Sequence, residues 1–135
     1  MGGTLHGCEL GEFLAKRRRR VIIAHNGPAS ELGDEMGRDD LANLWPWFKQ
    51  KYVTLWPDVE YREVTEDGLK IQQPDKRSYI LKGKSIVNTQ DWGPNTALYE
   101  QLSPLVEETY VTGSAREPGL MAEAVREGVL TGCAV

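Results

Sequence analysis

Apolar positions fall at helical spacing early in the chain. Leu10, Phe13 and Leu14 share one face of a run opened by Gly7, and Gly11 leaves a flat side that can approach a sheet closely. The run closes in Lys16 and the arginines at 17–20, cations that suit a helix C-terminus. Residues 21–24, Val-Ile-Ile-Ala, are apolar without interruption, which is the pattern of a strand covered on both faces. His25-Asn26-Gly27-Pro28 reads as a turn, followed by an acidic linker with Glu31, Asp34, Glu35, Asp39 and Asp40. Asp39 and Asp40 can cap a second helix, in which Leu41, Leu44, Trp45 and Phe48 recur at helical spacing. Pro46 lies inside that run and must either kink the helix or mark the first turn of a shorter one. Residues 53–55 read as a short strand.

The period then changes from helical to twofold. Residues 61–65 alternate, Asp67-Gly68 is a two-residue hairpin turn, and Leu69-Lys70-Ile71 answers it. Pro74-Asp75-Lys76 makes another turn before Tyr79-Ile80-Leu81, so residues 59–82 predict an antiparallel meander of three strands with one polar face. Residues 85–89 return to a buried strand pattern, broken at Trp92-Gly93-Pro94-Asn95, and residues 97–102 make one or two helical turns. Residues 108–112 predict a last strand, running into a closing helix with Pro118 as its first residue. Met121, Ala124, Val125 and Gly128 line one side of that helix, and Gly128 is its stop signal. The Trp45, Trp47 and Trp56 spacing reads as core or interface rather than as a platform for stacking a flavin or base.

Composition narrows the picture. A chain of 135 residues is one domain's worth, and 40% hydrophobic with 27% charged residues is ordinary for a globular protein. A formal charge of -4 argues against nucleic acid as a general partner, and the arginines at 17–20 read as a solvated helix end. Cys8 and Cys133 make no disulfide framework, and no signal peptide or membrane span is legible, so the expected compartment is cytoplasmic with both thiols reduced. His6 and His25 have no companions at metal-ligand spacing, so no metal site is expected.

A glycine turn, a helix and a covered strand in this order form the phosphate-cradling part of a dinucleotide-binding unit. There the helix N-terminus and free backbone N–H groups face a pyrophosphate. The candidate cradle is Gly2, Gly3, Thr4, Leu5 and Gly7, with Thr4 where the G-x-G-x-x-G spacing has its second glycine. An acidic residue at the end of the following strand would hold a ribose. Here Asn26 stands there beside His25 and can still hydrogen-bond a hydroxyl. The strand expected ahead of the glycine turn is missing from the sequence. That would leave the strand at 21–24 with an unpaired edge, to be covered by another strand of the chain shifting inward, by the sheet closing with residues 85–89 or 108–112, or by a neighbouring copy, with self-association through that edge the favoured way.

Three segments resemble a known family. GGTLHGCELGEFLAKR resembles the G-G-G-x-x-G-C-E-x-A-x-x-L-A segment of pyridine-nucleotide-dependent flavoprotein oxidoreductases. GPNTALYEQL is similar to their G-x-x-P-N-x-x-L-x-x-x-L segment, and VTGSAREPGLMAEAVREG to their strand-G-D-A-x-x-P segment. With EVTEDGL between, the set most resembles the C-terminal region of the 2,4-dienoyl-CoA reductase and trimethylamine dehydrogenase group, which joins an old-yellow-enzyme-type flavin barrel to two dinucleotide-binding domains. The resemblance covers nearly the whole chain. It implies a Rossmann-like, three-layer α/β domain over residues 1–135 with the meander as an insertion, its first strand absent, and residues 108–128 as the flavin-binding strand and helix.

The resemblance further implies that Gly2, Gly3, Thr4, Leu5 and Gly7 hold NAD(P)H or an ADP-type dinucleotide, with Thr4 crowding the pyrophosphate. It places Gly93, Pro94 and Asn95 beside the cofactor. It puts Gly113 and Ser114 at the FAD segment, with Ser114 in place of the family's aspartate. No catalytic residue is carried over: FMN and an iron–sulfur cluster would belong to parts of a parent enzyme outside these residues, with a flavin-barrel part as partner. The isolated chain should be inactive, the chemistry being the cofactors' own. The alternative is a non-catalytic structural or interaction module that keeps the fold and has lost the cofactor.

Overall fold

The computed structural model describes residues 1–90 and 93–134. Its elements are α1 (Leu5–Lys16), β1 (Ile22–Ala24), a 3-10 turn at Ala29–Glu31, α2 (Arg38–Gln50), β2 (Thr54–Trp56), β3 (Glu60–Thr65), β4 (Gly68–Gln72), β5 (Ser78–Lys82), α3 (Ala97–Leu102), a 3-10 turn at Gly113–Ala115 and α4 (Met121–Gly132). This is a mixed α/β protein with one parallel and one antiparallel sheet. The chain divides into two compact units, Met1–Gln90 and Asp91–Val135.

In the first unit, α1 turns its small face inward. Gly7, Cys8, Gly11 and Ala15 are buried, and a Cβ on Gly11 would stand 2.8 Å from Ile23 Cδ1. The helix stops at Arg17, and Arg18 takes the left-handed conformation (φ 58°) that turns the chain back towards β1. β1 pairs in parallel with β2, Ile22 opposite Thr54 and Ala24 opposite Trp56. Side chains alternate across this pair. Ile23 enters a core with Cys8, Leu44 and Phe48 from the helices, while Ala24 packs on the other side with Val59, Leu69 and Ile71 of the meander. The apolar run at 21–24 is therefore covered on both faces, as its composition predicts.

Inside α2, Pro46 neither ends the helix nor starts a new one. The missing N–H deprives the Ala42 carbonyl of its partner, but Ala42 and Pro46 are both exposed, so water can take the proline's place. Gly37 is the N-cap, and Asp39 and Asp40 lie in the first turn, where their charge suits the helix dipole. The tryptophans divide between cores. Trp45 and Trp47 flank Phe48 at 5.8 and 6.0 Å between ring centroids, whereas Trp56 meets Tyr79 at 5.2 Å.

The meander is antiparallel in the order β3-β4-β5, with a bulge between Tyr61 and Glu63. Its first turn falls one residue earlier than the sequence suggests. Thr65 pairs with Gly68, so Glu66 and Asp67 form the tip and Gly68 opens β4. Gly68 is required there for a different reason: its φ is 143°, and a Cβ would run into the Leu81 carbonyl of the neighbouring strand.

Residues 85–89 do not form the expected strand. Among the described residues their ladder-like bonds run to the first residue: the Met1 ammonium donates to Val87 O at 2.6 Å, and Thr89 N–H donates to Met1 O at 2.7 Å. β1 therefore has β2 as its sole strand neighbour among the described residues.

The second unit carries α3 and α4. Residues 108–112, expected as a strand, join no sheet among the described residues. α4 begins at Met121, three residues after Pro118, because the Glu123 carboxylate accepts the Leu120 N–H at 2.8 Å and fixes the helix start there. Gly128 lies inside the helix, where a Cβ would meet nothing within 4 Å, and so it does not act as a stop. No described residue of this unit is buried, and Met121, Val125 and Val129 expose an apolar stripe. The break expected at Trp92 lies outside the described residues.

Candidate functional site: the pinned glycine turn

The turn at Gly2 to Thr4 sits where three elements converge. Gly2 has φ 95°, and its N–H donates both to Ala24 O at 2.9 Å and to the Tyr61 hydroxyl at 3.0 Å. The Tyr61 O–H in turn donates to Ala24 O at 2.7 Å. One side chain from the meander thus ties the turn to the end of β1. Burial raises the Tyr61 pKa, opposed in part by the Gly2 N–H, and the hydroxyl keeps its proton to make that bond.

The next N–H, of Gly3, donates to Nδ1 of buried His25 at 3.3 Å. In the neutral ring Nδ1 is therefore the acceptor and the proton sits on Nε2. Nε2 is itself buried without a hydrogen-bond partner, 3.7 Å from the Glu31 carboxylate. The acidic linker closes over the turn from the other side, where Gly33 N–H donates to Gly3 O at 2.7 Å and Leu5 N–H to Asp34 O at 3.0 Å. Cys8 Sγ points back at Gly3 O, 3.2 Å away, and burial pushes its thiol up to about 11.

Glycine is needed at these positions on steric grounds. A Cβ at Gly7 would strike the Gly2 carbonyl, and one at Gly3 would stand 2.6 Å from Leu32 and 3.1 Å from His25. The turn is consequently the tight, closely packed bend the sequence suggests, but its donors are divided. Gly2, Gly3 and Leu5 spend their N–H groups on Ala24, His25 and Asp34. The N–H groups of Thr4, His6 and Gly7 have no partner among the described residues, and the Thr4 side chain makes no cap bond. These three donors lie at the start of a twelve-residue helix, the end whose dipole favours negative charge. Asp34 and Glu35, exposed on the covering loop, oppose an anion there.

Asn26 follows the same strand, one residue beyond His25, and its side chain makes no hydrogen bond among the described residues. The remaining expected positions lie in the second unit, where they come together. Asn95 N–H donates to Ala115 O at 3.0 Å, bringing the 93–95 segment beside the Gly113–Ala115 turn. Gly113, at φ 60°, donates its N–H to Glu127 of α4 at 2.9 Å. Arg116 pairs with the same carboxylate, and its hydrogen bond holds Glu127 below the usual carboxylate range. Ser114 Oγ makes no bond among the described residues.

Two residues that pin the turn, His25 and Tyr61, carry no motif. His25 stands alone in the sequence, and Tyr61 is an ordinary member of an alternating strand. The one available signal was that His25 directly follows a doubly covered strand. The arginines at 17–20 stay exposed as expected, with the Arg17 guanidinium 3.5 Å from the Phe13 ring centroid. Among the described residues no helix is long and apolar enough to cross a membrane.

A closely packed glycine turn, a helix and a two-sided parallel strand define an α/β domain of a broad class. The chain is similar to a 2-naphthoyl-CoA reductase solved with 2-naphthoyl-CoA, with a TM-score of 0.87 and 16% identity, over 99% of this chain and 20% of that one. At that identity the likeness is one of fold. The chain spans about a fifth of the length of the reductase it matches. No protein-family model matches the sequence, and no curated protein matches it.

Proposed function

We propose that the chain is a Rossmann-like nucleotide-binding domain of a flavin-dependent oxidoreductase, positioning NAD(P)H or an ADP-type dinucleotide for electron transfer that occurs elsewhere in the parent enzyme. The observation that carries this is the glycine turn itself. Gly7 against the Gly2 carbonyl, and Gly11 against Ile23, bring a helix N-terminus with three free N–H donors onto the end of a parallel strand. The three family-like segments in order, and a fold likeness to a reductase that acts on an aromatic acyl-CoA, support the same reading. Thr4, His6 and Gly7 would hold a phosphate through their backbone N–H groups, Asn26 a ribose hydroxyl, and FAD would belong to the parent's segment around Gly113 and Ser114. On this reading residues 1–135 act as one domain and pair with a flavin-barrel part of the parent.

A second reading has its own support. Gly3 and Leu5 give their N–H groups to His25 and Asp34, which is what a structural module that has lost its cofactor would do. Thermal melting with NADH, NADPH, FAD and ADP separates the two. A ligand at a hundred times its dissociation constant adds about 2.7 kcal/mol, and Thr4→Gly should strengthen the effect. No shift with any of the four, in the chain and in Thr4→Gly alike, decides for the structural module.

A further inference from the structure

The two helices of the first unit share a face that the glycine turn does not use. Each leads through a short turn into a strand of one parallel pair, and both pack on the Ile23 side of it, so α1 and α2 run side by side in the same direction. On α1, Leu5, Glu9, Glu12 and Lys16 fall on one stripe at helical spacing. On α2, Asp40, Asn43, Trp47 and the C-cap Lys51 do the same. Two grooves follow one another between these stripes. Glu9, Glu12, Glu35 and Asp40 line the first, and Lys16, the arginines at 18–20 and Lys51 line the second. Trp47 belongs to both, its ring centroid 5.9 Å from each of the Lys16 and Lys51 ammonium groups. The face is therefore acidic on one side of Trp47 and basic on the other.

Most of these charges are unspent. Glu12 and Lys16 pair within α1 at 2.7 Å, while Glu9, Glu35, Asp40, the arginines at 18–20 and Lys51 make no ion pair among the described residues. Their order decides what can lie there. A long polyanion drawn to the arginines would run onto the carboxylates, and a polycation drawn to the carboxylates would run onto the arginines, each at a like-charge cost. The occupant must carry both signs at the same separation, about 10 Å for the seven residues from Glu9 to Lys16. A second copy of this face has that spacing by construction and needs only to be turned end for end. A twofold axis in the plane of the face, crossing both helices near Trp47, does this and lays α1 on α1 and α2 on α2, antiparallel. Glu9 and Glu12 then meet Lys16 and the arginines of the second copy, Glu35 and Asp40 meet its Lys51, and every contact occurs twice. An axis along the helices would instead set carboxylate on carboxylate.

We propose that this face is a dimer interface, on which a second copy of the chain packs with its acidic end on the basic end of the first and the two Trp47 rings near the axis. The dimer uses neither the strand edge of β1 nor the glycine turn, so it forms whether or not a cofactor is bound.

Sedimentation equilibrium of the whole chain is the test. A dimer is expected at about 50 mM salt, with a dissociation constant about tenfold higher at about 500 mM, where charges are screened within roughly 4 Å. Two charge-reversed variants follow. Glu9→Lys with Glu35→Lys and Asp40→Lys makes the acidic end basic, and Arg19→Glu with Arg20→Glu and Lys51→Glu makes the basic end acidic. All six positions are exposed, so both variants should keep the circular dichroism of the unaltered chain. Each alone should be monomeric, and an equimolar mixture should restore a dimer containing one of each. The salt dependence is read on the unaltered chain and does not rest on the folding of the variants. A chain that stays monomeric at low salt and submillimolar concentration overturns the proposal, as does a mixture that fails to dimerise. A dimer that salt and both variants leave intact assigns self-association to another surface, such as the β1 edge, and overturns it too. Assemblies that keep growing with concentration mean a head-to-tail contact that does not close, and they overturn the twofold arrangement.

Discussion

Tyr61 is the residue whose removal should be most informative. Its hydroxyl accepts from Gly2 N–H and donates to Ala24 O, so Tyr61→Phe leaves a partly buried carbonyl and N–H with only each other. A loss of about 1–2 kcal/mol is expected from urea unfolding, with faster exchange of the Gly2 and Gly3 amides. A loss confined to the meander, with the turn unchanged, would remove Tyr61 from its role as the pin. Cys8 gives a pH signature. Its thiol rises from 9.0 to about 11 on folding, so the folded state holds a proton that the unfolded state releases between those values. Stability from this group is intact below pH 9 and falls as the pH rises through 11. Melting curves should show that decline, and Cys8→Ala should blunt it. At pH 8 a thiol reagent should modify exposed Cys133 and spare Cys8 until the protein unfolds.

At the scale of elements, two helical glycines give opposite expectations. Gly7 in α1 faces the Gly2 carbonyl, which is backbone and cannot step aside, so Gly7→Ala should destabilise by about 1–3 kcal/mol. Gly128 in α4 faces open space, and Gly128→Ala should stabilise its helix by about 0.5–1 kcal/mol. Circular dichroism of the two variants, with urea midpoints for Gly7→Ala, checks both signs. The reverse order would mean that helix propensity, not close approach, decides the fate of these positions. The same contrast explains why a glycine count along the sequence is a poor guide to where a helix ends.

For the whole molecule, the two units differ in what can hold them. The first has two apolar clusters built around Phe48 and Ile71, side chains 1% and 0% exposed. The second has no buried residue among those described. Local opening free energy follows buried apolar contact. Native-state hydrogen exchange should therefore find the amides of α2 and β4 protected to the level of global unfolding, and those of α3 and α4 exchanging far faster. Equal protection in both units would show that the second is stabilised by something its own burial does not supply.

The local elements were legible where one period or one residue decides them. The helical spacing of Leu10, Phe13 and Leu14 and the twofold alternation after Val59 each mark an element through contacts made within a few residues, although Phe13 stays half exposed. The continuous apolar run before His25 marks a strand whose partner lies about thirty residues away. The glycine turn was legible too, because only glycine tolerates a φ of 95° and a helix packed against a carbonyl. Strands at 85–89 and 108–112 were predicted from pattern and did not form, since a strand is completed by a partner that its own residues do not specify. The hairpin tip moved by one residue because Gly68 answers to Leu81 on the next strand, not to the turn. Most of what makes the candidate site particular was decided only in three dimensions. His25 and Tyr61 reach the turn from 22 and 59 residues away, and the division of its N–H groups between internal acceptors and free donors depends on the loop at 33–34 folding over it. Spacing along a chain encodes which element forms; which donors remain free at its end is settled by whatever packs there.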